Sequence, residues 1–320
     1  MACVPYALTQ VDMRNFLRKL FSPESPAASP SAPSVSSSIP AASHSVAPPA
    51  AHAEQVEEPT LVQRTLDDPL GLGLRDAVRS GWYRQDTGEL YTGFKVSAED
   101  VVLDVGCGDG GNALFCANRG AHVILADIDA ARLAKAAQRL AGTPAREVQT
   151  LVGDTNPLAL AGGVASKVIA MEVLEHVDDT AQFLSELLRV GKPGAQYLLS
   201  VPDPVQEQLQ THLAPAFYFQ KPNHVRIIQR DEFAQMVSDA GLVIESRGSY
   251  GFYWAVWWSL FWSTGLDVYN PLVNPRHPQL DNWTRTWEAL LDNPEGEKVR
   301  QTLNAFMPKS QVIVARKPYA

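Results

Sequence analysis

The chain of 320 residues is poor in cysteine, short of basic residues and without a long apolar run. Each shortage excludes something. Its three cysteines, Cys3, Cys107 and Cys116, have no metal-ligand spacing, and an odd few in a chain this long build no disulfide framework. The expected setting is therefore reducing and cytoplasmic. Lysine and arginine total 27 against 35 acidic residues, a net charge of −8. Binding a phosphate backbone needs a basic face, so nucleic acid is not an expected partner. No stretch reaches the roughly 18 apolar residues of a spanning helix, and no basic-then-apolar leader is found.

What is present falls into three parts. In residues 11–21, VDMRNFLRKLF, the apolar Phe16, Leu17, Leu20 and Phe21 share one helical face and Arg14, Arg18 and Lys19 take the other. Such a helix either packs on its own protein or docks on a membrane surface or a partner. Residues 22–60 read as a disordered linker rich in serine, proline and alanine, where proline removes donors and serine competes for the backbone. A tether matters only when something sits at its far end, which favours docking through 11–21.

From 61 to 320 the pattern is that of one globular domain. Short apolar runs read as strands: VVLDVG (101–106), HVILAD (122–127), VQTLVGD (148–154), SKVIAME (166–172), AQYLLSVP (195–202), LVIES (242–246) and SQVIVARK (310–317). Helices are expected from about Asn112 to Arg119, over AARLAKAAQRLAG, over TAQFLSELLRVGKPG with Gly191 and Pro193 as its stop, and over DEFAQMVSDAG. Alternation of this kind predicts an α/β fold, a Rossmann-like doubly wound sheet with helices on both faces.

Ligands in such a sheet bind beyond the carboxyl ends of the strands. There LDVGCGDGG (103–111) places Gly106, Gly108, Gly110 and Gly111 in a turn of nearly bare backbone. About 20 residues on, Asp127 ends the second strand, where a carboxylate can accept both hydroxyls of a ribose. That much suits NAD. Asp104 lies before the first glycine and Asp154 ends the third strand. The added negative charge suits a sulfonium with an α-amino group better than a pyrophosphate.

The successive motifs VVLDVGCGDG, VILADID, VGD and VIAMEVLEHVDD resemble those of class I S-adenosylmethionine-dependent methyltransferases, and MEVLEHV is similar to the ubiquinone-pathway O-methyltransferases. The resemblance covers roughly residues 80–246 plus the last strand. It implies a seven-stranded sheet with the last strand antiparallel and S-adenosylmethionine as cofactor. It also implies Asp104, Gly106, Gly108, Asp127 and Asp154 as residues that hold this cofactor. The turn would cradle the methionine part, Asp127 the ribose and Asp154 the adenine amine. Cys107, Ile128, Thr155 and Glu172 complete the candidate set. An NAD-linked oxidoreductase is a distant alternative, with no Tyr-x-x-x-Lys pair placed for it.

Methyl transfer from a sulfonium is an in-line displacement, so the protein must align two reactants and, for a hydroxyl, remove a proton. Glu175 and His176 are the candidate catalytic residues, His176 as a base titrating near working pH. Glu172, Glu175, His176 and a later histidine, His224, also resemble the divalent-metal cluster of the small-RNA 2′-O-methyltransferases. The expectation is nonetheless no metal, because VLEHV also occurs in members of the wider family not known to use one. His224 is then an ordinary loop histidine.

Tyr83 and Tyr91 precede the first strand, as aromatic lids over the pocket or as plain packing. Six of seven tryptophans lie between 254 and 287, within an insert at about 247–309. FYWAVWWSLFW (252–262) is apolar all round and too short to span a bilayer. It reads as a lid helix buried on the core, as a lipid-facing surface, or as a contact in a homodimer. DVYNPLVNPRHPQLDNW reads as a pocket-shaping loop. Terminal helix, tether and insert together point to an enzyme peripheral on the inner face of a membrane, O-methylating a glycan or lipid-linked acceptor. A small natural product or quinone precursor, methylated on oxygen or nitrogen, is the alternative.

Overall fold

The structure, a computed structural model, describes residues 69–154, 157–266 and 276–319. The expected helix at 11–21, the linker at 22–60, Thr155 and the first part of the proline-bearing loop (267–275) lie outside the described residues.

Helix α1 (Pro69–Arg79) leads into a small antiparallel sheet of β1 (Trp82–Arg84), β2 (Glu89–Tyr91) and β3 (Phe94–Lys95). The alternating region follows: β4 (Val101–Val105), α2 (Gly111–Ala117), β5 (His122–Asp127), α3 (Ala130–Leu140), β6 (Glu147–Val152), β7 (Ala165–Met171), α4 (Thr180–Val190) and β8 (Gly191–Pro202). Then come α5 (Pro204–Leu213), α6 (Arg230–Asp239), β9 (Val243–Tyr250), α7 (Phe252–Phe261), α8 (Pro278–Asp292), α9 (Gly296–Phe306) and β10 (Ser310–Arg316). Short polar side chains start several helices, as orphan amides require: Asp129 accepts from Ala131 and Arg132, and Asp179 accepts from Gln182.

Seven strands pair in the order β6-β5-β4-β7-β8-β10-β9. β10 runs antiparallel to β8 and β9, while the β4–β5, β4–β7, β5–β6 and β7–β8 pairs are parallel. The expected seven strands and antiparallel last strand are therefore both present. Side chains alternate across the sheet. Val102, Val123 and Leu198 join one buried layer with α2, α3 and the helices of the insert; Leu103, Ile124 and Leu199 join the other with α4 and α6.

Three segments differ from expectation. Gly191 and Pro193 end the helix but already belong to β8, and β9 continues to Tyr250, held there by β10. Helix α5 lies where only a variable stretch was expected; Asp203 caps it, with Pro204 in its first turn. The loop expected to end near Trp283 becomes helix at Pro278.

The apolar helix of the insert is buried on the core. Trp254, Trp257, Trp258 and Trp287 are buried. The first three pack in a row with Phe261, with centroids between 5.1 and 5.5 Å for Trp254–Trp257, Trp257–Trp258 and Trp257–Phe261, and Trp287 packs on Phe252 and Trp283. These indoles are occupied by the core, which removes them from the lipid-facing reading. Among the described residues no helix is long and apolar enough to cross a membrane.

The lid reaches α1 through one small residue. A Cβ on Gly73 would fall inside the indole of Trp254. Gly73→Ala is expected to destabilise the fold by about 1–3 kcal/mol through overpacking, read as a lower midpoint of thermal unfolding.

A second junction is polar. Asp76 of α1 is buried against the insert, accepting from Trp287 Nε1 at 3.3 Å, with Arg300 Nη1 3.8 Å away. Its Oδ2 has no hydrogen-bond partner among the described residues. Burial pushes this carboxyl up to about 6, against the pull of Arg300 and Trp287. A carboxyl that holds its proton more tightly when folded contributes stability in full below about pH 4 and loses it as pH rises through about 6. The change is expected to be about 3 kcal/mol at most. Asp76→Asn should flatten that dependence in urea unfolding at about pH 4.5 and 7.

Candidate active site

The strand register gathers the candidate residues at one edge. Asp104 pairs with Leu125 and Ile169, Asp127 with Val152, and Met171 with Ser200. The carboxyl ends of β4, β5 and β7 therefore open together. In the turn after β4, Gly106, Gly108 and Gly110 have φ of 64°, 49° and 76°. Side chains rarely adopt that region, so the turn presents backbone. At Gly110 a Cβ would stand 3.0 Å from that of Ala136, so this glycine also lets α2 and α3 approach.

Asp127 clamps the turn. Its Oδ2 accepts the Gly108 amide at 2.7 Å and its Oδ1 the Asp129 amide at 2.9 Å. Each carboxylate oxygen keeps a further lone pair for a ribose hydroxyl. Asp104 is fully buried within β4. Burial, helped by the Asp104 carboxylate, raises the thiol of Cys116 well above its ordinary value. Cys107 is fully buried, its Sγ 3.7 Å from the Gly108 carbonyl oxygen. Asp154 is exposed past the end of β6. Ile128 is 55% exposed and Val152 62%, apolar surface beside Asp127 where a purine can lie. Val152 was missed; an apolar strand end beside an acid was the available signal. Bare turn, clamped acid and apolar flank fit an adenosyl ligand.

Tyr83 closes this side. Its hydroxyl donates to Asn112 Oδ1 at 2.9 Å, and it holds a left-handed φ of 52°. Tyr91 packs on Trp82 with ring centroids 4.8 Å apart, so the first borders the turn and the second is packing.

Beyond β7 the chain makes a 3-10 turn, Leu174–His176, and Glu172 before it is also left-handed, at φ 54°. A non-glycine residue there costs about 1–3 kcal/mol and persists only when its surroundings fix it. Here they do. The Glu172 amide donates to Ser200 O at 2.9 Å, Oε1 accepts from Ser200 Oγ at 2.8 Å, and Oε2 lies 3.2 Å from Lys309 Nζ. Glu172 thus faces Lys309.

Glu175 and His176 lie in the 3-10 turn itself. His176 Nδ1 donates to Pro222 O at 3.2 Å, and its Nε2 stands 3.6 Å from Glu175 Oε1. Burial, reinforced by His224, pushes His176 down to about 3. It is a neutral imidazole at ordinary pH and a poor base, which corrects the expectation of a base titrating near working pH. Burial and the nearby Glu172 push Glu175 well up.

His224 is not an idle loop residue. It is buried, its ring centroid 5.0 Å from that of His176, and its Nδ1 lies 2.6 Å from Glu207 Oε2. Tyr218 donates to Glu207 Oε1 at 3.0 Å. Glu207 and Tyr218 also line a cavity with Pro202, Gln206, Gln210, Trp258, Trp262 and Lys309. Glu207, Tyr218 and Lys309 had no sequence signal; residues 175, 207, 224 and 309 meet only through the fold.

The sequence profile of the methyltransferase domain matches residues 103–199, the span from the turn through Asp127 and Glu172 into β8. The chain is 31% identical over 146 residues to a probable S-adenosylmethionine-dependent methyltransferase of Mycolicibacterium smegmatis, covering 45% of this chain and 52% of that protein. It is 41% identical over 101 residues to a ubiquinone biosynthesis O-methyltransferase of Hahella chejuensis, 31% of this chain and 42% of that one. It is 28% identical over 131 residues to a norajmaline N-methyltransferase of Rauvolfia serpentina, 40% and 43% of the two chains. The chain spans about half the length of these relatives. Residues 103–199 thus match a methyltransferase domain, and they lie on a sheet whose strand order and glycine turn are those expected from the resemblance to class I S-adenosylmethionine-dependent methyltransferases.

Proposed function

We propose that the protein transfers the methyl group of S-adenosylmethionine to an oxygen atom, and that the acceptor is a hydroxyl of a glycan or lipid-linked molecule. One juxtaposition carries the reading. A bare turn clamped by Asp127 lies on the same sheet edge as a cavity with an aromatic wall and a polar floor. On the first side, Gly106, Cys107 and Gly108 cradle the methionine part, Asp127 takes the ribose, and Ile128 and Val152 cover the adenine near Asp154. The bound cofactor supplies an activated methyl on a sulfonium. On the second side, Trp258, Trp262 and Tyr218 offer ring faces, and Gln206, Gln210, Glu207 and Lys309 offer donors and acceptors. Aromatic rings edged by carboxamides and charges are the lining a polyhydroxylated acceptor would need, around a space that in this conformation has room for about one water. Trp262 Nε1 donates to Gln210 Oε1, which ties wall to floor. Docking of residues 11–21 on a membrane or partner would bring such an acceptor near.

A small phenol or quinone precursor is the second reading, favoured by the similarity to a ubiquinone biosynthesis O-methyltransferase. Labelled S-adenosylmethionine incubated with the protein and separated membrane and soluble extracts distinguishes them. Label in a saccharide or lipid-extractable product supports the first; label confined to soluble small molecules overturns it. Calorimetric titration with S-adenosylhomocysteine and with NAD tests the cofactor, and binding of NAD alone would end the methyltransferase reading.

A further inference from the structure

We infer that Glu207 is the catalytic base of methyl transfer, its carboxylate taking the proton of the acceptor hydroxyl in the cavity it shares with Trp258 and Lys309. The inference rests on the methyltransferase reading and names the proton acceptor that a hydroxyl nucleophile requires.

The two residues expected to run the chemistry do not supply a base. His176 is pushed down to about 3 by burial and by His224, so it holds a proton too weakly to accept one. Burial and the charges of Glu172 and Glu207 push Glu175 well up, so it keeps its own proton. Of the described residues that line the cavity, Glu207, Tyr218 and Lys309 are titratable. Burial, and then the charge of Glu207, pushes the Tyr218 phenol well up, so it stays a donor. Lys309 is ion-paired with Glu172 at 3.2 Å, and an ammonium has no lone pair to offer. The carboxylate of Glu207 is the group left to accept.

Its geometry suits the task. Glu207 lies in α5, two per cent exposed, and each of its oxygens is held once. Oε1 accepts from the Tyr218 hydroxyl at 3.0 Å, and Oε2 lies 2.6 Å from His224 Nδ1. A carboxylate has about four lone-pair sites, so each oxygen keeps one for an incoming hydroxyl. A base fixed by two partners needs no reorganisation when the reactant arrives. The space beside it has room for about one water in this conformation, which is the size of a single hydroxyl group.

In the step, the hydroxyl O–H bond breaks and the proton goes to Glu207. The electron pair stays on oxygen, and that oxygen forms the new O–CH3 bond. The S–C bond of the sulfonium breaks with its pair left on sulfur, giving S-adenosylhomocysteine and a protonated Glu207, which returns its proton to water.

The test uses the full chain with labelled S-adenosylmethionine, the separated membrane and soluble extracts as acceptor source, and S-adenosylhomocysteine affinity measured on every sample. Glu207→Gln keeps the size of the side chain and removes the base. It should slow transfer at saturating cofactor by about 10²- to 10⁴-fold. Its affinity for S-adenosylhomocysteine should stay within about twofold of wild type. Wild-type transfer should fall at low pH, as the carboxylate takes up a proton, and the residual rate of Glu207→Gln should lack that acid limb. Transfer by Glu207→Gln within about threefold of wild type overturns the assignment. So does a slower variant that keeps the acid limb. A wild-type rate without an acid limb overturns it whether or not the variant folds. Wild-type protein that binds S-adenosylhomocysteine but labels nothing in either extract counts against the acceptor reading, and the base falls with it. Labelled product from wild type, with Glu207→Gln equally fast, sinks the base alone and leaves the methyltransferase reading standing.

Discussion

Asp127→Ala is expected to weaken S-adenosylhomocysteine binding by about 100-fold or more. The carboxylate has two duties. It holds the Gly108 and Asp129 amides at 2.7 and 2.9 Å, and in the proposed function its remaining lone pairs go to the ribose. Hydrogen bonds to a charged group contribute about 1.5–3 kcal/mol each. Two ribose contacts are therefore about 3 kcal/mol at the low end, and each 1.4 kcal/mol is about tenfold in affinity. Loss of the clamp adds to this, because the Gly108 amide in a turn of three left-handed glycines and the Asp129 amide at the start of α3 lose their acceptor. Asp127→Asn separates the duties. It keeps the shape but gives the turn and ribose one neutral acceptor, so an intermediate loss is expected. Isothermal titration measures both variants, and an Asp127→Ala protein that binds as wild type would remove this residue from the site.

Trp257→Ala is expected to cost about 3–5 kcal/mol of stability, the usual range for a large aromatic lost from a core. Trp257 is fully buried in the lid, nearly parallel to Phe261 at 5.3 Å and edge-on to Trp254 and Trp258. Few neighbours can refill the space, because its flanks are rigid rings. Its Nε1 is buried with no hydrogen-bond partner among the described residues. Trp257→Phe therefore gives up no polar interaction and should cost less than half as much. Urea midpoints at constant slope would measure the difference. A lid that merely rests on the surface would instead give a loss below about 1 kcal/mol for the alanine variant.

The strands and most helices were legible because their signals are local. A run such as VVLDV followed by glycines is short, apolar and punctuated, and it is β4. Asp127 was placed by its distance from the turn alone. Helix α5 was also written locally, as Asp203 before Pro204, a cap followed by proline; it was overlooked because no apolar stripe marks PVQEQLQTHL. The acceptor side was not legible. Glu172 and Lys309 are 137 positions apart, and Glu207 and His224 meet across a connection that returns to the 3-10 turn, where the Val225 amide donates to Glu175 O at 2.9 Å.

By itself, then, the amino-acid order determined the class of fold and the glycine turn, with Asp127 at the strand end beside it. These depend on backbone freedom, side-chain period and short spacings, which neighbouring residues set among themselves. Only the tertiary structure decided what His176, His224 and the tryptophans are. A histidine becomes a permanently neutral ring, a loop imidazole gains a carboxylate, and an apolar helix finds which side is inward through desolvation and through-space contact. Both depend on segments far apart in the chain closing over the same edge of the sheet.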